Sequence, residues 1–141
     1  MPPIMKQEIA AGGIVYNQTT KQWLICQHSQ HKGWVFPKGI VGDNKADESF
    51  EAAALREVAE EGGVKAKTIQ KLPGTFDYIY TFKGEKISKT VHYFLMEYIS
   101  GDPKDHDWEM QEAKFVSAEE IRNMLTYPTE KQAFEEAVKL L

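Results

Sequence analysis

The chain has 141 residues, of which 42% are hydrophobic and 27% are charged, and its formal net charge is -4. This composition is that of a globular protein, and the negative net charge argues against general binding to nucleic-acid backbones, which requires a basic surface. The single cysteine, Cys26, excludes an intrachain disulfide and favours a reducing compartment.

The first residues, MPPIMKQEIAAGG, lack the basic-then-apolar pattern of a signal peptide. No apolar run approaches the roughly 20 residues that a membrane span needs. We therefore expect a cytoplasmic protein that has no membrane segment. No repeat, linker or low-complexity tract marks an internal boundary, so we predict one domain over residues 1–141.

The first half of the chain begins with two predicted strands. EIAAGGIVYN (8–17) contains Gly12 and Gly13, which indicate close backbone packing or a bulge. QWLICQH (22–28) alternates and is rich in large side chains. The next stretch, 29–45, is predicted to be a long glycine-bearing loop, and loops of this length in compact domains are usually functional.

A helix is predicted from about Asp47 to Glu61, with Gly62 and Gly63 as its C-terminal stop. Its apolar residues recur at helical spacing and predict the face that packs on the core. They are Phe50, Ala53, Ala54, Leu55 and Val58.

Three carboxylates lie within a sector of roughly 100° on this helix, away from the apolar face: Glu57, Glu60 and Glu61. We expect them to project together. Clustered oxygen ligands suit Mg²⁺ or Mn²⁺, and the preceding loop can present Lys38 and backbone groups to phosphate oxygens. The alternative is a solvated acidic helix face, which three glutamates alone would favour.

The second half of the chain returns to strands and ends in helices. The predicted strands are 64–72, 74–82, 86–98 and, after the polar loop 100–112, the short strand 113–117. Ser117 and Glu120 form a predicted capping box for a helix over 118–125, and Pro128-Thr129 opens a last amphipathic helix. This order predicts an α/β fold with a mixed sheet between helical layers.

Gly42, Glu48 and the run Arg56–Val64 together resemble the signature of the Nudix hydrolases. That signature is Gly, five positions, Glu, seven positions, Arg-Glu, an apolar residue, any residue, Glu-Glu, any residue, Gly and an apolar residue. The resemblance implies the family's α/β/α sandwich and its reaction, which is metal-dependent hydrolysis of a nucleoside diphosphate linked to another group. Mg²⁺ is the expected ion, with Mn²⁺ as the alternative.

By position in the signature, Glu57 and Glu61 would be the principal metal ligands, and Glu60 would be a further ligand or a partner of metal-bound water. Glu57 is also a candidate base toward the attacking water. Arg56 would orient Glu57, and Glu48 would brace the junction between loop and helix.

The stretch GWVFPKG (33–39) resembles the segment that precedes the signature in diadenosine tetraphosphate hydrolases, where the glycine of PKG is itself the signature glycine. Here Gly39 stands nine residues before Glu48, three too far. Either Gly42 fills the role, or Gly39 is its spatial equivalent and GDNKAD (42–47) carries a three-residue insertion. We favour Gly39, whose carbonyl is then one candidate metal ligand.

The same resemblance implies that Lys38 binds the phosphate chain of a dinucleoside polyphosphate. Other positions that resemble these relatives provide further candidates. Lys89 and His31 are candidates for binding phosphate, and Glu112 or Glu109 is a candidate for an extra metal ligand or the base. For each, the ordinary reading is a solvent-facing side chain. Adenine needs flat aromatic side chains to stack on, and the candidates by position are Tyr78, Tyr80 and Tyr127. The alternative for each of them is an ordinary packing role in the core or on a half-buried strand. Trp34, Phe36 and Trp108 are expected to be packing residues.

Three functions are weighed. The first is a Mg²⁺-dependent hydrolase of dinucleoside polyphosphates, and the second cleaves an RNA 5′ end or a free nucleoside triphosphate. The third is a non-catalytic module that senses a nucleotide or binds a partner, which the retained signature carboxylates disfavour. We expect a small nucleotide as the partner, no long nucleic acid, and a monomer or a homodimer.

Overall fold

The computed structural model describes residues 5–42 and 46–141 and shows a mixed eight-stranded sheet with helices on both faces. The strands are β1 (Lys6–Asn17), β2 (Gln22–His28), β3 (Trp34–Val35), β4 (Lys38–Ile40), β5 (Val64–Lys71), β6 (Phe76–Phe82), β7 (Glu85–Gly101) and β8 (Met110–Val116). The helices are α1 (Phe50–Gly62), α2 (Ala118–Met124) and α3 (Pro128–Lys139). The predicted α/β class, with a mixed sheet between helices, is confirmed.

Strand β1 lies at the centre of the sheet and runs parallel to β7 over Lys6–Tyr16 and Ile87–Glu97. On the other side of β7, β6 pairs with its first half and β5 with its second half, both antiparallel. On the other side of β1, the partner changes along the strand. β2 pairs with it only at Tyr16 and Asn17, whereas β4 pairs with Ala10–Gly12. The two strands therefore diverge, and the segment carrying β3 and β4 fills the opening.

Alternation along β1 builds two cores from one strand. Ala10 and Ile14 face the layer of α2 and α3, where Phe134 contributes. Ala11 and Val15 face α1. Because side chains on successive residues of a strand point to opposite faces, a continuous apolar run is what a strand covered on both sides requires.

Helix α1 begins three residues later than predicted. Ser49 is its N-cap and accepts a hydrogen bond from the Ala52 amide at 3.0 Å, so the helix starts at Phe50. Phe50 is 38% exposed and stacks on His92, and its predicted place on the core-facing stripe is wrong. The predicted stop is confirmed, since Gly63 adopts φ 71° and donates its amide to Ala59.

The other predicted boundaries need two corrections. The stretch 29–45 is not a plain loop, because it contains β3 and β4; residues 43–45 of it lie outside the described part. The loop predicted over 100–112 is shorter, since β7 continues to Gly101 and β8 starts at Met110. None of the helices in the described ranges is both long and apolar enough to cross a membrane.

The close packing predicted at Gly12 and Gly13 is confirmed and fixes the segment that follows β3. A Cβ at Gly12 would press on the Pro37 carbonyl and the Lys38 side chain, and one at Gly13 would overlap Val58 of α1. The Gly13 amide donates to the Pro37 carbonyl at 3.1 Å. This contact holds the start of β4 against the centre of the sheet, next to α1.

Candidate active site

A cavity of about 670 Å³ opens between α1, the β3–β4 segment, β6 and the start of α3. Its size is that of a small-molecule site. The predicted site residues that line it are His31, Lys38, Gly39, Glu57, Glu61, Tyr78, Tyr80, Lys89 and Tyr127. Three predicted residues do not line it: Arg56, Glu60 and Glu112.

The three helix carboxylates separate rather than project together. Glu57 and Glu61 are buried and face the cavity, whereas the side chain of Glu60 is 47% exposed. The expected common acidic face is therefore wrong. Glu57 and Glu61 are one helical turn apart and share the side of α1 that faces the β3–β4 segment, where they contact Gly39 and the Lys38 amide. Glu60 lies at a different angle around the helix and stays half exposed.

Arg56 connects these groups. Its Nε and Nη2 donate to the two oxygens of Glu48 at 2.7 and 3.0 Å, and its Nη1 donates to Glu57 Oε1 at 2.7 Å and to Glu60 Oε2 at 3.3 Å. The hydrogen bonds from Arg56 hold the pKa of Glu48 below its usual range. The guanidinium thus fixes the Glu57 carboxylate and ties α1 to the end of the loop before it.

We expect Arg56→Lys to lower the free energy of unfolding by about 1–2 kcal/mol, because an ammonium cannot replace two bonds to Glu48 and one to Glu57 at once. Urea denaturation checks this. The matched control is Arg122→Lys: Arg122 also donates to a glutamate, Glu135, at 2.6 Å, but both side chains are about half exposed. A loss for the control as large as that for Arg56→Lys would contradict the role given to Arg56.

Gly39 and Gly42 occupy different places. A Cβ at Gly39 would overlap the Glu57 carboxylate, so this glycine lets the backbone of β4 reach the carboxylate closely. Gly42 has φ 83°, and its amide donates to Glu48 Oε1 at 3.3 Å. The middle of the insertion considered for GDNKAD, residues 43–45, lies outside the described residues.

Glu61 is bound to the opposite side of the same segment. Its Oε1 accepts from the Lys38 amide at 3.1 Å. Burial, followed by the neighbouring carboxyl groups of Glu57 and Glu109, raises the pKa of Glu61 to about 9. Burial also raises the pKa of Glu57, against the opposing effect of Arg56.

Burial thus disfavours the ionised forms of the two carboxylates that face the cavity, and added positive charge would stabilise them. A divalent cation would supply it and would keep Glu57 and Glu61 ionised, so the donor set fits the metal that the family implies. Within residues 5–42 and 46–141, no group of three or more His, Cys, Asp or Glu side chains is placed so that it could hold a metal ion. Mg²⁺ is commonly held by one or two carboxylates together with water and substrate phosphates, and Glu57 and Glu61 are the carboxylates that the chain would supply.

Two lysines reach the cavity from different strands, and each has its own carboxylate partner. Lys38 Nζ lies 3.4 Å from Glu130 Oε2, and Lys89 Nζ lies 3.9 Å from Glu8 Oε1. Burial lowers the pKa of Lys38, but Glu130, Tyr78 and Glu61 together outweigh this effect and the net shift is upward. Burial and the nearby Lys38 lower the pKa of Lys89. The cavity therefore carries two ammonium groups near the buried glutamates, which is a charge pattern suited to a phosphate chain.

The aromatic candidates form two walls. Tyr127 Oη lies 3.1 Å from His31 Nδ1, which also accepts from the Gly33 amide. On β6, Tyr78 packs partly into the core, and the Tyr80 hydroxyl donates to Glu8 at 2.6 Å. The hydroxyls of Tyr80 and Tyr127 are thus engaged, and their rings line the cavity.

Of the two candidate loop acids, the structure places Glu109 in the cavity and Glu112 outside it. Glu112 lies on β8 opposite Gln27 and pairs with Lys114 at 3.2 Å. The Glu109 carbonyl accepts from the Ser29 amide at 3.0 Å, which holds its loop at the rim of the cavity.

Trp108, next to Glu109, is 79% exposed, so the expectation that it packs in the core is wrong. Phe36 is fully buried, and Trp34 packs against the core cluster, as expected of packing residues.

Sequence reasoning missed Glu130. A signal was present, since Glu130 occupies the apolar stripe of α3 at helical spacing from Ala133, Phe134 and Ala137, all of them buried. A carboxylate on an apolar stripe needs a buried partner, and that requirement was readable from the spacing. Glu8 carried no comparable signal, because it lies near the exposed start of β1.

Comparison with known proteins places these features in a family. The NUDIX domain profile matches residues 6–137. The MutT4 protein of Mycobacterium tuberculosis is 35% identical over 108 residues, which make up 77% of this chain and 42% of that protein. Nudix hydrolase 6 of Arabidopsis thaliana is 32% identical in an alignment of 130 positions, which covers 87% of this chain and 44% of that protein. The chain therefore spans less than half the length of these two relatives.

A solved structure gives the same fold. A binary complex of the C. elegans Ap4A hydrolase superposes with a TM-score of 0.69 at 22% sequence identity, over 94% of this chain and 96% of that one. At this identity the likeness concerns the fold alone. The family match extends over nearly the whole chain and includes the helix that bears Arg56, Glu57 and Glu61. The chain therefore belongs to the Nudix family, as its signature predicted.

Proposed function

We propose that this chain is a Mg²⁺-dependent hydrolase that cleaves a phosphoanhydride bond in a nucleoside-diphosphate-linked substrate, with dinucleoside polyphosphates such as diadenosine tetraphosphate as the preferred class. One observation carries the proposal: two buried carboxylates, two lysines and aromatic walls line the same 670 Å³ cavity. Carboxylates can hold a metal, ammonium groups can hold a phosphate chain, and rings can stack on a base. Nudix hydrolases generally use divalent metal ions.

Each part of the cavity has a task in such a reaction. Glu57 and Glu61 would hold the metal ion, which would supply positive charge to the phosphate oxygens and the attacking water. Lys38 and Lys89 bind the phosphate chain along the cavity and stabilise the charge that develops on it. Tyr127 and Tyr78 provide flat surfaces for a nucleobase.

The chemical step is a substitution at phosphorus. The oxygen of a water molecule bonds to one phosphorus, the bond from that phosphorus to the bridging oxygen breaks, and the bridging oxygen leaves with the second nucleotide. A carboxylate accepts the proton of the water, and the candidates that line the cavity are Glu57 and Glu109. Arg56 acts on this step through Glu57, whose oxygen it holds at 2.7 Å.

A substrate panel tests the proposal. We expect the protein with Mg²⁺ to convert diadenosine tetraphosphate into ATP and AMP, resolved by chromatography, with a higher kcat/KM than for ATP, ADP-ribose, nucleotide sugars or 5′-triphosphorylated RNA. EDTA should abolish the activity. Absence of turnover on every member of the panel at micromolar enzyme would contradict the proposal. A higher kcat/KM for a nucleoside triphosphate would show that nucleoside triphosphates, and not dinucleoside polyphosphates, are the substrate class.

A second candidate is a free nucleoside triphosphate. The 35% identical relative bears the name MutT4, whereas the likeness to the Ap4A hydrolase is one of fold. The two candidate substrates differ in what the cavity must bind beyond the phosphates, because a dinucleoside polyphosphate carries a second nucleoside. Comparing diadenosine tetraphosphate with adenosine 5′-tetraphosphate, which has the same phosphate chain and one nucleoside, separates the two candidates.

A further inference from the structure

Glu130 is the most deeply buried carboxylate of the cavity wall, with 2% of its surface exposed. It lies in the first turn of α3, and its Oε2 is the focus of three donors. These are the Phe36 amide at 2.7 Å, Lys38 Nζ at 3.4 Å and the Tyr93 hydroxyl at 3.4 Å. One buried oxygen thus joins α3, the β3–β4 segment and β7.

We propose that Glu130 is a positioning residue that holds the Lys38 ammonium at the cavity wall in readiness for substrate phosphate. This inference rests on the proposed function, in which Lys38 binds the phosphate chain. Glu130 itself does not touch the substrate. Its effect on the substrate passes through Lys38, and its bond to the Phe36 amide, two residues earlier on the same segment, anchors the Glu130 side chain itself.

The energetic reason lies in the freedom of the lysine side chain. Fixing a lysine side chain on a ligand costs rotamer entropy. A carboxylate that already restrains the ammonium reduces this cost before the substrate arrives. An ammonium has three N–H donors, and Glu130 Oε2 accepts one of them at most, so two remain for phosphate oxygens.

A competing effect has the opposite sign. Glu130 is itself negative and repels the phosphate chain, so if repulsion were dominant, its neutralisation would strengthen binding. The geometry argues against that outcome. The Glu130 oxygen is enclosed by three donors, one of which is the Lys38 ammonium, so its negative charge is already balanced within the cavity wall.

The test is a double-mutant cycle on binding. The ligand is the α,β-methylene analogue of ATP with Mg²⁺, measured by calorimetry, and adenosine serves as a phosphate-free control. Its α,β link corresponds to the bond that breaks when diadenosine tetraphosphate gives ATP and AMP, and this link cannot be hydrolysed. We expect Glu130→Gln to raise the Kd of the analogue about tenfold while leaving the Kd of adenosine unchanged. Lys38→Met should raise it at least as much, and the double variant should equal Lys38→Met alone. Glu136→Gln, an exposed change on the same helix, should have no effect.

Three results would overturn the inference. The first is an unchanged or lower Kd in Glu130→Gln. The second is a double variant in which the fold-changes in Kd of the two single variants multiply. The third is an unchanged Kd in Lys38→Met. If Glu130→Gln does not fold, Glu130→Asp is measured instead. This variant keeps the negative charge but moves it away from Lys38 by one methylene, so we expect a smaller rise in the Kd of the analogue. Because the readout is binding, a wild-type protein that binds the analogue yet hydrolyses no substrate contradicts the proposed function alone.

Discussion

Glu57→Gln should lower kcat by about three orders of magnitude or more while leaving the fold intact. Glu57 is buried at the cavity wall, and one of its oxygens accepts from Arg56 at 2.7 Å. The amide keeps the size of the side chain and an acceptor for Arg56, but it loses the negative charge that a metal ion needs and the basicity that a proton acceptor needs. Steady-state kinetics on the preferred substrate checks the result.

The free energy of unfolding of Glu57→Gln can be predicted separately from its activity. Burial raises the pKa of Glu57. At pH values above the usual pKa of a glutamate, its ionised form therefore destabilises the metal-free folded protein. Removing that carboxylate compensates for the weaker bond to Arg56. We therefore expect the free energy of unfolding without metal to change by less than about 1 kcal/mol.

Metal binding provides a readout that does not depend on turnover. Mg²⁺ should raise the Tm of the wild-type protein, because a ligand of the native state stabilises it, and the rise should largely disappear in Glu57→Gln. Glu51→Gln is the matched control: Glu51 is exposed in the first turn of the same helix, and its kinetics and Mg²⁺ response should match the wild type. If Glu57→Gln kept wild-type kcat, the assignment of the metal site would be wrong.

Much of this site could be predicted from sequence because its parts are local. Arg56, Glu57 and Glu61 lie on one helix, where spacing alone fixes their relative directions. The C-terminal end of the helix was also readable, since Gly63 can adopt the left-handed conformation of a C-cap, whereas the predicted start lay three residues before the helix that Ser49 caps. What spacing did not give was burial. The divergence of β1 and β2 admits the β3–β4 segment, and that segment encloses Glu57 and Glu61 while Glu60 stays half exposed.

The partners of the lysines were not predicted because they are non-local. Glu130 is 92 residues from Lys38, and Glu8 is 72 residues from Tyr80. Strand pairing brings Glu8 to Lys89, since the register of β1 on β7 sets these two side by side. No periodicity within one element encodes such a contact. Sequence spacing could not decide between Glu109 and Glu112 for a similar reason, because β8 starts at Met110 and carries Glu112 away from the cavity.

Gly39→Ala should lower kcat by about two orders of magnitude, at little cost in stability. The new methyl group would overlap the carboxylate of Glu57, which is the end of a flexible side chain and can move aside. A displacement of about 1 Å of a catalytic group is sufficient for a loss of about a hundredfold. Kinetics and thermal unfolding of the same preparation measure both quantities.

Gly42→Ala should show the reverse pattern, and the contrast decides which glycine serves the site. Gly42 has φ 83°, a conformation that costs an L-residue roughly 1–2 kcal/mol, and its amide contacts Glu48 rather than Glu57. The free energy of unfolding should therefore fall by about that amount, with kcat within about threefold of the wild type because the Glu57 carboxylate is undisturbed. If Gly42→Ala instead lost activity and Gly39→Ala retained it, Gly42 would be the glycine that the catalytic helix requires. The spacing of the signature would then describe this chain without an insertion.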